Sequence, residues 1–481
     1  IWLLQFVPKQ FFPESDRSQI LAYIDLPAGT SSKTTDIRMR DIFSWLKNKD
    51  EFPHITSFSG YAGYGGPRFV LALSPSDPDP NKGFIVMNIE SSKHINSMLS
   101  QLRKGFIENF PDMNVRVKKM FLGPSEASVM KVQVKGPDAN YIYKKSQEII
   151  EIFHTIPNTI DIKQDWENEI IKVLVQVDQK RARRAGVSSD DIAQSMQGYF
   201  SGTNVTEFRE QDDIIPVVFR AEDKERYNLD RIRSISIHSH TQQMAIPLFQ
   251  IADFAGVGQF SKIQREDMFR AVTIEAKNLF LSAEDLKKIV APKIEALKKD
   301  LPPNHHIEWK GAIKDSGEAQ RALAKNIPLC IGLIIILLMA QFNSYRQTFM
   351  VLLTIPLSFI GVITGLFTMQ ASIGFMSTLG IYSLAGIIIN NAIILIDRIN
   401  IEAKNHSTLR PAIIHSCLVR LRPITITTIT TILGLLPLII NQDPLFYGMA
   451  CVIAFGLGVG TLLTLGFIPV LYSIFYATSH Q

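Results

Sequence analysis

An uncharged stretch, Gly374–Ile396, reads GFMSTLGIYSLAGIIINNAIILI and decides the fold class of the chain. A helix of about 20 predominantly apolar residues crosses the ~30 Å hydrocarbon core of a bilayer. Further stretches of this kind lie on both sides of it, joined by turns, which is not typical of buried helices in a soluble protein. The sequence therefore predicts five membrane-spanning helices, at about 323–342, 346–368, 374–397, 422–440 and 447–477.

The composition changes near residue 322, because charged residues are frequent before it and rare after it. The 481 residues are 46% hydrophobic and 20% charged, and their mean hydropathy is +0.11. A net charge of +5, from 50 basic and 45 acidic residues, is too balanced to indicate nucleic-acid binding. The first cysteine is Cys330, which excludes a disulfide framework or a thiolate metal site from the region before it.

The loops between the predicted helices differ in charge, and this difference predicts their orientation. Loops on one side carry Arg346, Arg398, Lys404, Arg410, Arg420 and Arg422. Loops on the other side, near residues 370–372 and 441–446, carry no lysine or arginine. By the positive-inside rule the basic loops are cytoplasmic. The region before residue 322 then lies outside the cytoplasm, which in a bacterium is the periplasm.

The outer region is predicted to be α+β. Residue patterns indicate strands at 19–26, 55–59, 69–74 and 114–120, and helices at 34–46 and 90–110. This β-α-β-β-α-β order is that of the split βαβ, or ferredoxin-like, unit.

The same order partly recurs in the following residues. Strands are predicted at 129–135, 159–164, 170–177, 271–276 and 305–310, and helices at 137–154 and 282–299. Pro137 is expected in the first turn of its helix. Residues 178–265, with a predicted helix at 188–197, interrupt this second unit, and an insertion of that size usually forms a separate subdomain.

The sequence contains none of the common catalytic motifs that we sought. It has no G-x-x-x-x-G-K-[ST] phosphate-binding loop, no H-E-x-x-H zinc motif and no G-x-S-x-G nucleophile elbow. His238 and His240 share one face of a predicted strand, but no cysteine or further histidine accompanies them. A solvated strand face is therefore favoured over a metal site, and we expect neither an enzyme nor a bound cofactor.

The glycine-rich run Gly60–Pro67, GYAGYGGP, joins two predicted strands. It is either a flexible hairpin loop or a mobile loop that exposes and withdraws the rings of Tyr61 and Tyr64. Glycine permits large backbone changes, and aromatic rings give apolar contacts that tolerate varied ligands. The local sequence leaves both interpretations open.

Two asparagines, Asn390 and Asn391, lie near the middle of the third predicted span. An amide in hydrocarbon must be hydrogen-bonded, so such residues face a bundle interior or a water-filled path. They either bond neighbouring helices together or form a polar seam with the threonine-rich span that follows. A polar seam through the membrane helices, in a chain without an ATP site, suggests that an ion gradient drives the function of the protein.

Five stretches are specific in combination: FVPKQFFPESDR at 6–17, VDQKRARRAGVSSDDIAQSMQ at 177–197, AQFNSY at 340–345, GIIINNAIILID at 386–397 and RLRPITITTITTILGLLPL at 420–438. With them, the chain resembles the C-terminal half of a resistance-nodulation-division (RND) multidrug efflux transporter of the acriflavine-resistance, or hydrophobe/amphiphile, type. The resemblance runs along essentially the whole chain.

The resemblance implies an architecture. Residues 1–7 would end the seventh of twelve transmembrane helices, 8–125 would form one porter subdomain, 126–177 with 266–313 a second, and 178–265 a docking subdomain, before five helices within 322–481. The chain is then expected to be a fragment of a longer pump. The implied partners are the N-terminal half, two further copies in a homotrimer, a periplasmic adaptor protein, an outer-membrane channel, amphiphilic small molecules and the lipid of a bacterial inner membrane.

The resemblance also implies site residues. Proton coupling in the family involves two aspartates on the fourth helix, a lysine on the tenth, and an arginine and a threonine on the eleventh. Asn390 stands at the lysine position, a departure because an amide cannot switch charge, although Asn390 and Asn391 can still hydrogen-bond carboxylates. Arg420 and Thr427 match the other positions, next to Thr428. The family's switch loop beside the drug pocket matches Gly60, Tyr61, Gly63, Tyr64, Gly65, Gly66 and Phe69.

The predicted function is proton-driven export of amphiphilic compounds by the inner-membrane subunit of a tripartite pump. A heavy-metal exporter of the same superfamily is less favoured, because the 14 methionines are scattered. A SecD/SecF-type protein-export accessory would lack the insertion at 178–265. An inactive membrane scaffold is a third alternative.

Overall fold

The computed structural model describes residues 7–13, 15–123, 126, 128–222, 226, 228–239, 243–405 and 408–476. Except for Val7, the predicted helix end at 1–7 lies outside the described residues, and so does His240. Contacts divide the chain into two compact units, Ile1–Glu167 with Lys262–Gln481, and Asn168–Ser261. The first unit combines α/β layers with long apolar helices.

The first sheet is antiparallel and carries its helices on one face. Its elements are β1 (Gln19–Asp25), α1 (Ser32–Leu46), β2 (Ile55–Ala62), β3 (Lys82–Ile89), α2 (Ile95–Asn109, after a 3₁₀ turn at Ser92–His94) and β4 (Asn114–Lys119), with strand order β2-β3-β1-β4. Alternation along β1 buries Ile20, Ala22 and Ile24 in the core shared with the helices. Ser31 caps α1 by accepting a hydrogen bond from the backbone N–H of Thr34.

The predicted strand at 69–74 is wrong. The strand that pairs with β2 is β3, and residues 63–81 form the connection between them. Leu73 in this connection is 1% exposed, because it packs with Leu21, Phe84 and Met120 on the sheet face opposite the helices. A loop that buries apolar side chains on a sheet has the composition of a strand, which explains the error.

The chain then forms β5 (Val129–Gly136), α3 (Ala139–His154) and β6 (Thr159–Gln164) before it enters the second unit. The Asp138 carboxylate caps α3 by accepting hydrogen bonds from the backbone N–H groups of Asn140 and Tyr141. Pro137 therefore precedes the cap, and its predicted place in the first helical turn is wrong.

The second unit, residues 168–261, is built from paired strands and short helices. Its described elements are β7 (Glu169–Val177), α4 (Gln179–Arg184), α5 (Ser189–Phe200), β8 (Thr203–Glu210), β9 (Asp213–Phe219), α6 (Leu229–Ile232), β10 (Ser236–Ser239), β11 (Met244–Pro247), a 3₁₀ turn at Leu248–Gln250, and β12 (Ala252–Phe260). β7 pairs with β12, β8 with β9, and β10 with β11. Because β7 pairs with β12, this unit starts before residue 178, where the insertion was expected to begin.

The chain returns to complete the second sheet with β13 (Arg265–Glu266), β14 (Phe269–Asn278), α7 (Ala283–Lys299) and β15 (His306–Gly311). β14 pairs with β13, β5 and β6, and β5 also pairs with β15, all antiparallel. The two faces of this sheet differ in chemistry. Val132 and Ile274 are fully buried, whereas the opposite face carries charged side chains such as Lys131 and Glu275, which form an ion pair.

The two sheets meet through charged groups. Glu126 accepts hydrogen bonds from Lys118 of β4 at 2.8 Å and from Lys277 of β14 at 2.6 Å. Burial alone would raise the pKa of Glu126, but the two ammonium groups lower that pKa to about 2. Glu167 makes a similar link, because it pairs with Lys82 of β3 at 2.9 Å. The main apolar core of the first sheet, built from residues 20–117, lies on the helix face, and Lys118 projects from the opposite face.

Five long apolar helices follow in the described part of the chain, as predicted: α8 (Ala312–Phe342), α9 (Tyr345–Thr368), α10 (Phe375–Asn405), α11 (Leu409–Ile440) and α12 (Tyr447–Tyr476). α8, α10 and α11 extend beyond the predicted apolar spans, because polar residues continue these helices. The largest extension is in α11, which begins at Leu409 instead of near residue 422 and continues through Pro423.

The last helix, α12, packs against α9, α10 and α11. The contacts use small residues. A Cβ atom added to Gly361 of α9 would lie 2.5 Å from the carbonyl oxygen of Phe455 in α12, and Gly456 of α12 faces Leu384 of α10 just as closely. Small residues allow helix backbones to approach in lipid, where the hydrophobic effect does not drive association.

Replacement of Glu126 by glutamine should destabilise the joined sheets, because Lys118 and Lys277 would remain as buried charges. Breaking a buried ion pair in this way costs about 3–5 kcal/mol. The carboxylate stabilises fully above its unfolded pKa of 4.5, and this contribution is lost as the pH falls toward 2. Thermal unfolding of the detergent-solubilised protein should show that E126Q is much less stable than the parent protein near pH 7. The loss of stability should be smaller near pH 3.

The control for this measurement is E108Q, since the side chain of Glu108 is 61% exposed and pairs weakly with Lys104. E108Q should unfold like the parent protein at both pH values. An E126Q effect of equal size at both pH values would contradict the pH argument.

Gly361→Ala should lower the thermal stability of the helix bundle, since its new methyl group would overlap Phe455 and Val459 of α12. Gly317→Ala is a matched control in α8, because nothing lies within 4 Å of a Cβ atom added there. Alanine is favoured over glycine in an open helix by about 1 kcal/mol, so G317A should be neutral or stabilising. Equal stability of G361A and G317A would mean that α9 and α12 do not need this close approach.

Candidate functional site

The two mid-span asparagines occupy different environments on α10. Asn391 is 8% exposed, whereas Asn390 is exposed on the helix surface. Neither side chain forms a hydrogen bond with another described residue. They therefore do not bond the described helices together through their amides.

The polar residues of α11 are also divided. Thr428 is 8% exposed, and its hydroxyl lies 3.1 Å from that of Thr461 on α12. Thr427 is exposed and donates to the carbonyl of Ile424, one turn earlier in its own helix, at 2.9 Å. The described contacts therefore join Thr428 to α12, not to the asparagines.

Arg420 lies farther toward the basic end of α11. It is partly buried, and its Nε atom is buried without a hydrogen-bond partner among the described residues. A buried guanidinium N–H of this kind requires an acceptor.

Thr461 was missed by sequence analysis. It lies in the apolar run Gly458–Leu463 of α12, where a threonine by itself is uninformative, because threonine commonly bonds its own helix. The only signal was the neighbouring glycine, Gly460, which marks a close helix contact.

A second polar cluster joins three helices at the basic-loop end of the bundle and was also missed. Gln347 of α9 and Asn400 of α10 exchange two amide hydrogen bonds, each 2.9 Å. Tyr472 of α12 donates to Asn400 at 2.8 Å, and the hydroxyl of Tyr476 accepts from Gln347 at 3.2 Å. In the sequence, each of these side chains is a single polar residue near the end of a predicted helix. Nothing in the sequence indicates that they come into contact.

The glycine-rich run divides between a strand and a connection. Gly60 and Tyr61 belong to β2 and pair with Ile85 and Phe84 of β3. Gly63 and Gly66 adopt positive φ angles of 68° and 76°, which glycine permits without a steric cost. The run therefore begins as a strand and turns into the connection at residues 63–81.

The aromatic residues of this region are partly accessible. The rings of Tyr61 and Tyr64 make an edge contact at 5.9 Å, and Tyr64 and Phe69 are each 40% exposed. A cavity of about 550 Å³ lies beside the same connection, and its lining includes Arg68, Leu71 and residues 120–123. Tyr61, Tyr64 and Phe69, the aromatics expected at a pocket, are not among the residues that line this cavity.

No group of three or more histidine, cysteine, aspartate or glutamate side chains that could hold a metal ion occurs among the described residues. His238 lies in β10, and its expected neighbour His240 is outside the described residues.

Comparisons with known proteins give a family and a fold. The model of the AcrB/AcrD/AcrF family matches residues 1–476. The chain is similar to the X-ray crystal structure of a heavy metal efflux pump in crystal form I, with a TM-score of 0.79 and 22% identity over 99% of this chain and 49% of that one. Crystal form II gives a TM-score of 0.79 and 21% identity over 99% and 48%. The chain thus spans about half the length of these structures, and at this identity the likeness shows the fold.

The Thr428–Thr461 contact predicts a non-additive mutational effect. T428V and T461V alone should each reduce stability by roughly 1 kcal/mol, because the remaining hydroxyl loses its interhelical partner. The double variant should lose less than the sum of the two. Thermal unfolding of the four proteins measures this coupling. T427V is the matched control, since Thr427 bonds its own helix, and strict additivity would show that the two hydroxyls do not interact.

Proposed function

Because this chain belongs to the AcrB/AcrD/AcrF family of RND permeases, we propose that it is the C-terminal half of a proton-driven pump that exports amphiphilic compounds. In the full pump, a periplasmic pocket would bind the compound and proton passage through the bundle would drive the conformational cycle. No covalent change of the compound is involved.

The observation that carries this proposal is that two polar side chains of the membrane-spanning helices lack partners among the described residues, and we propose that they form part of one polar surface. Asn390 is exposed at mid-span, and Arg420 has a buried N–H group without an acceptor among the described residues. Polar groups at this depth require protein or water partners. Since the chain spans half the length of the matching structures, we propose that the other half supplies carboxylates to this surface.

The chemistry of this surface suggests which groups titrate. A guanidinium group stays protonated in proteins, and an amide does not change charge. Asn390, at the family's lysine position, would therefore orient a carboxylate without exchanging a proton with it. Proton binding would belong to carboxylates of the other half, with Arg420 as the fixed positive charge.

The outer region supports the remaining assignments. The strand order β2-β3-β1-β4, with helices after β1 and β3, supports the proposal of a ferredoxin-like porter subdomain. We assign residues 8–125 to this subdomain, and 126–177 with 266–313 to the second. The insertion predicted at 178–265 would be the docking subdomain, with the compact unit of residues 168–261 at its centre. The basic loops favour a periplasmic location for this region, in a trimer with an adaptor and an outer-membrane channel.

The connection at 63–81 is the proposed switch loop. Tyr64 and Phe69 are accessible enough to contact an amphiphile, while the pairing of Gly60 and Tyr61 in β2 holds one end of the loop. Gly65 and Gly66 allow it to pack against its neighbours without a side-chain clash.

A heavy-metal exporter is the second candidate, favoured by the likeness to a heavy metal efflux pump. Among the described residues, no group of three or more histidine, cysteine, aspartate or glutamate side chains could hold a metal ion. The compact unit at 168–261 disfavours a SecD/SecF-type accessory.

N390A, N391A and R420Q in the full-length protein should each reduce dye efflux, with R420Q close to complete loss, because the carboxylates would lose their hydrogen-bond or charge partner. Ethidium efflux from energised cells, with expression measured in parallel, provides the readout. T430V is the control, since Thr430 donates to Ile426 of its own helix and should pump normally.

Unchanged efflux in all three variants would contradict the proton-coupling surface and favour an inactive scaffold. Protection of the same cells against zinc or copper, without dye efflux, would favour the heavy-metal candidate.

A further inference from the structure

Two histidine rings stack face to face beside the first sheet. The ring centroids of His54 and His94 are 3.8 Å apart, and the interplanar angle is 7°. Aromatic pairs usually keep their centroids about 4.5–7 Å apart and avoid a direct face-to-face arrangement. This unusually close, parallel pair brings the ring nitrogens of two imidazoles near one another, and imidazole is the commonest protein ligand of metal ions.

The backbone fixes the positions of both histidines. His54 directly precedes β2, and its carbonyl accepts a hydrogen bond from the backbone N–H of Glu90 at 3.0 Å. His94 ends the 3₁₀ turn before α2. The next residue in each case, Ile55 and Ile95, is 2% and 3% exposed in the core of the first sheet. The fold therefore places the two rings side by side without help from a ligand.

Glu90 orients one of the two rings. Its Oε2 atom lies 3.3 Å from Nδ1 of His54. An ionised carboxylate only accepts hydrogen bonds, so Nδ1 donates and Nε2 of the neutral ring keeps its lone pair. A carboxylate that holds the second nitrogen of a histidine in this way is typical of the surroundings of a metal site. The ring of His94 forms no hydrogen bond with another described residue, so either of its nitrogens is available.

The spacing of the rings suits a single transition-metal ion. Zinc binds imidazole nitrogen at about 2.0–2.1 Å, so one ion can join two nitrogens that are up to about 4 Å apart. Nitrogens on matching edges of two parallel rings with centroids 3.8 Å apart fall within this span. Water would complete the coordination, since no group of three such ligands occurs among the described residues.

The charges around the pair favour a weak, exchangeable site. The Glu90 carboxylate beside His54 attracts a cation. Two ammonium groups oppose it, because Lys93 is the exposed neighbour of His94 and Lys49 donates a hydrogen bond to the carbonyl of Ile55. Metal binding must therefore come from the two imidazole nitrogens more than from the local field.

The histidine pair is remote from the proposed switch loop at residues 63–81. His54 lies at one end of β2 (Ile55–Ala62), and the loop follows the other end. Eight residues of strand at about 3.2–3.4 Å each place about 26 Å between them. The pair is therefore separate from the surface proposed to contact exported compounds.

We propose that His54 and His94 bind one Cu²⁺ or Zn²⁺ ion through a nitrogen of each ring, with Glu90 as the residue that positions His54. Imidazole suits both metals, and the usual order of divalent affinities puts Cu²⁺ above Zn²⁺. The ion would tie the start of β2 to the start of α2. This binding does not require that the protein pumps, so it stands independently of the function proposed above.

The test titrates the full-length protein, purified in detergent without a polyhistidine tag, with Cu²⁺ and with Zn²⁺ by calorimetry. H54Q and H94Q should each weaken Cu²⁺ binding at this site by at least about tenfold, since each variant removes one of two ligands. The difference between parent and variant cancels sites elsewhere in the full chain. Zn²⁺ should bind the parent protein at least about tenfold more weakly than Cu²⁺.

Electron paramagnetic resonance of the bound Cu²⁺ reports the ligands directly. The parent protein should show coupling to two imidazole nitrogens at this site, and H54Q or H94Q should show coupling to one. If H54Q fails to fold, H94Q still decides the question, because the His94 ring forms no hydrogen bond with another described residue.

E90Q tests the positioning role of the carboxylate. It should weaken Cu²⁺ binding by about tenfold, while the resonance signal still shows two nitrogens because both ligands remain. H154Q is the matched control, since His154 is an exposed histidine at the end of α3, and it should bind Cu²⁺ like the parent protein.

Unchanged Cu²⁺ binding in both H54Q and H94Q, or an equal loss of binding in H154Q, would overturn the proposal. Ethidium efflux from cells that express the same variants separates this inference from the function proposed above. H54Q and H94Q should export ethidium normally, so a failure of metal binding would leave the proposed pump intact.

Discussion

Close contact between α12 and the helices around it is the constraint on which the membrane half of the structure depends. In lipid, apolar side chains gain little by leaving their surroundings, so helices associate through close packing and hydrogen bonds. Gly361 and Gly456 provide the close packing, and the Thr428–Thr461 contact provides an interhelical hydrogen bond at the same helix. With α12 held in this way, both α10, which carries Asn390, and α11, which carries Arg420, pack against it.

The interactions that join the two sheets differ from those that join the membrane helices. The first sheet buries apolar residues against its own helices, and ion pairs at Glu126 and Glu167 link it to the second sheet. Buried ion pairs add little net stability compared with apolar packing, but they are costly to break one partner at a time. The ion pairs at Glu126 and Glu167 therefore tie the two sheets together at specific positions.

The apolar spans and most strands were predictable, because hydrophobic length and alternation are local properties of the sequence. The strand assigned to 69–74 was not separable from a loop that buries Leu73, since both place apolar residues on a sheet. The site was less predictable. The Gln347–Asn400 pair and the partner of Thr428 depend on which helices become neighbours, and the sequence pattern of one helix does not carry that information.

The interrupted second sheet has a consequence for biosynthesis. The first sheet is complete once Lys119 has been made, but β5 pairs with β14 and β15, which follow only after residues 168–261. At translation rates of about 5–20 residues per second, β5 waits on the order of 10–30 s for its partners. During that interval its edges are unpaired and open to wrong pairing or to proteases. The insertion thus acts as a built-in delay, and the rate at which it is translated governs how long the nascent chain is vulnerable.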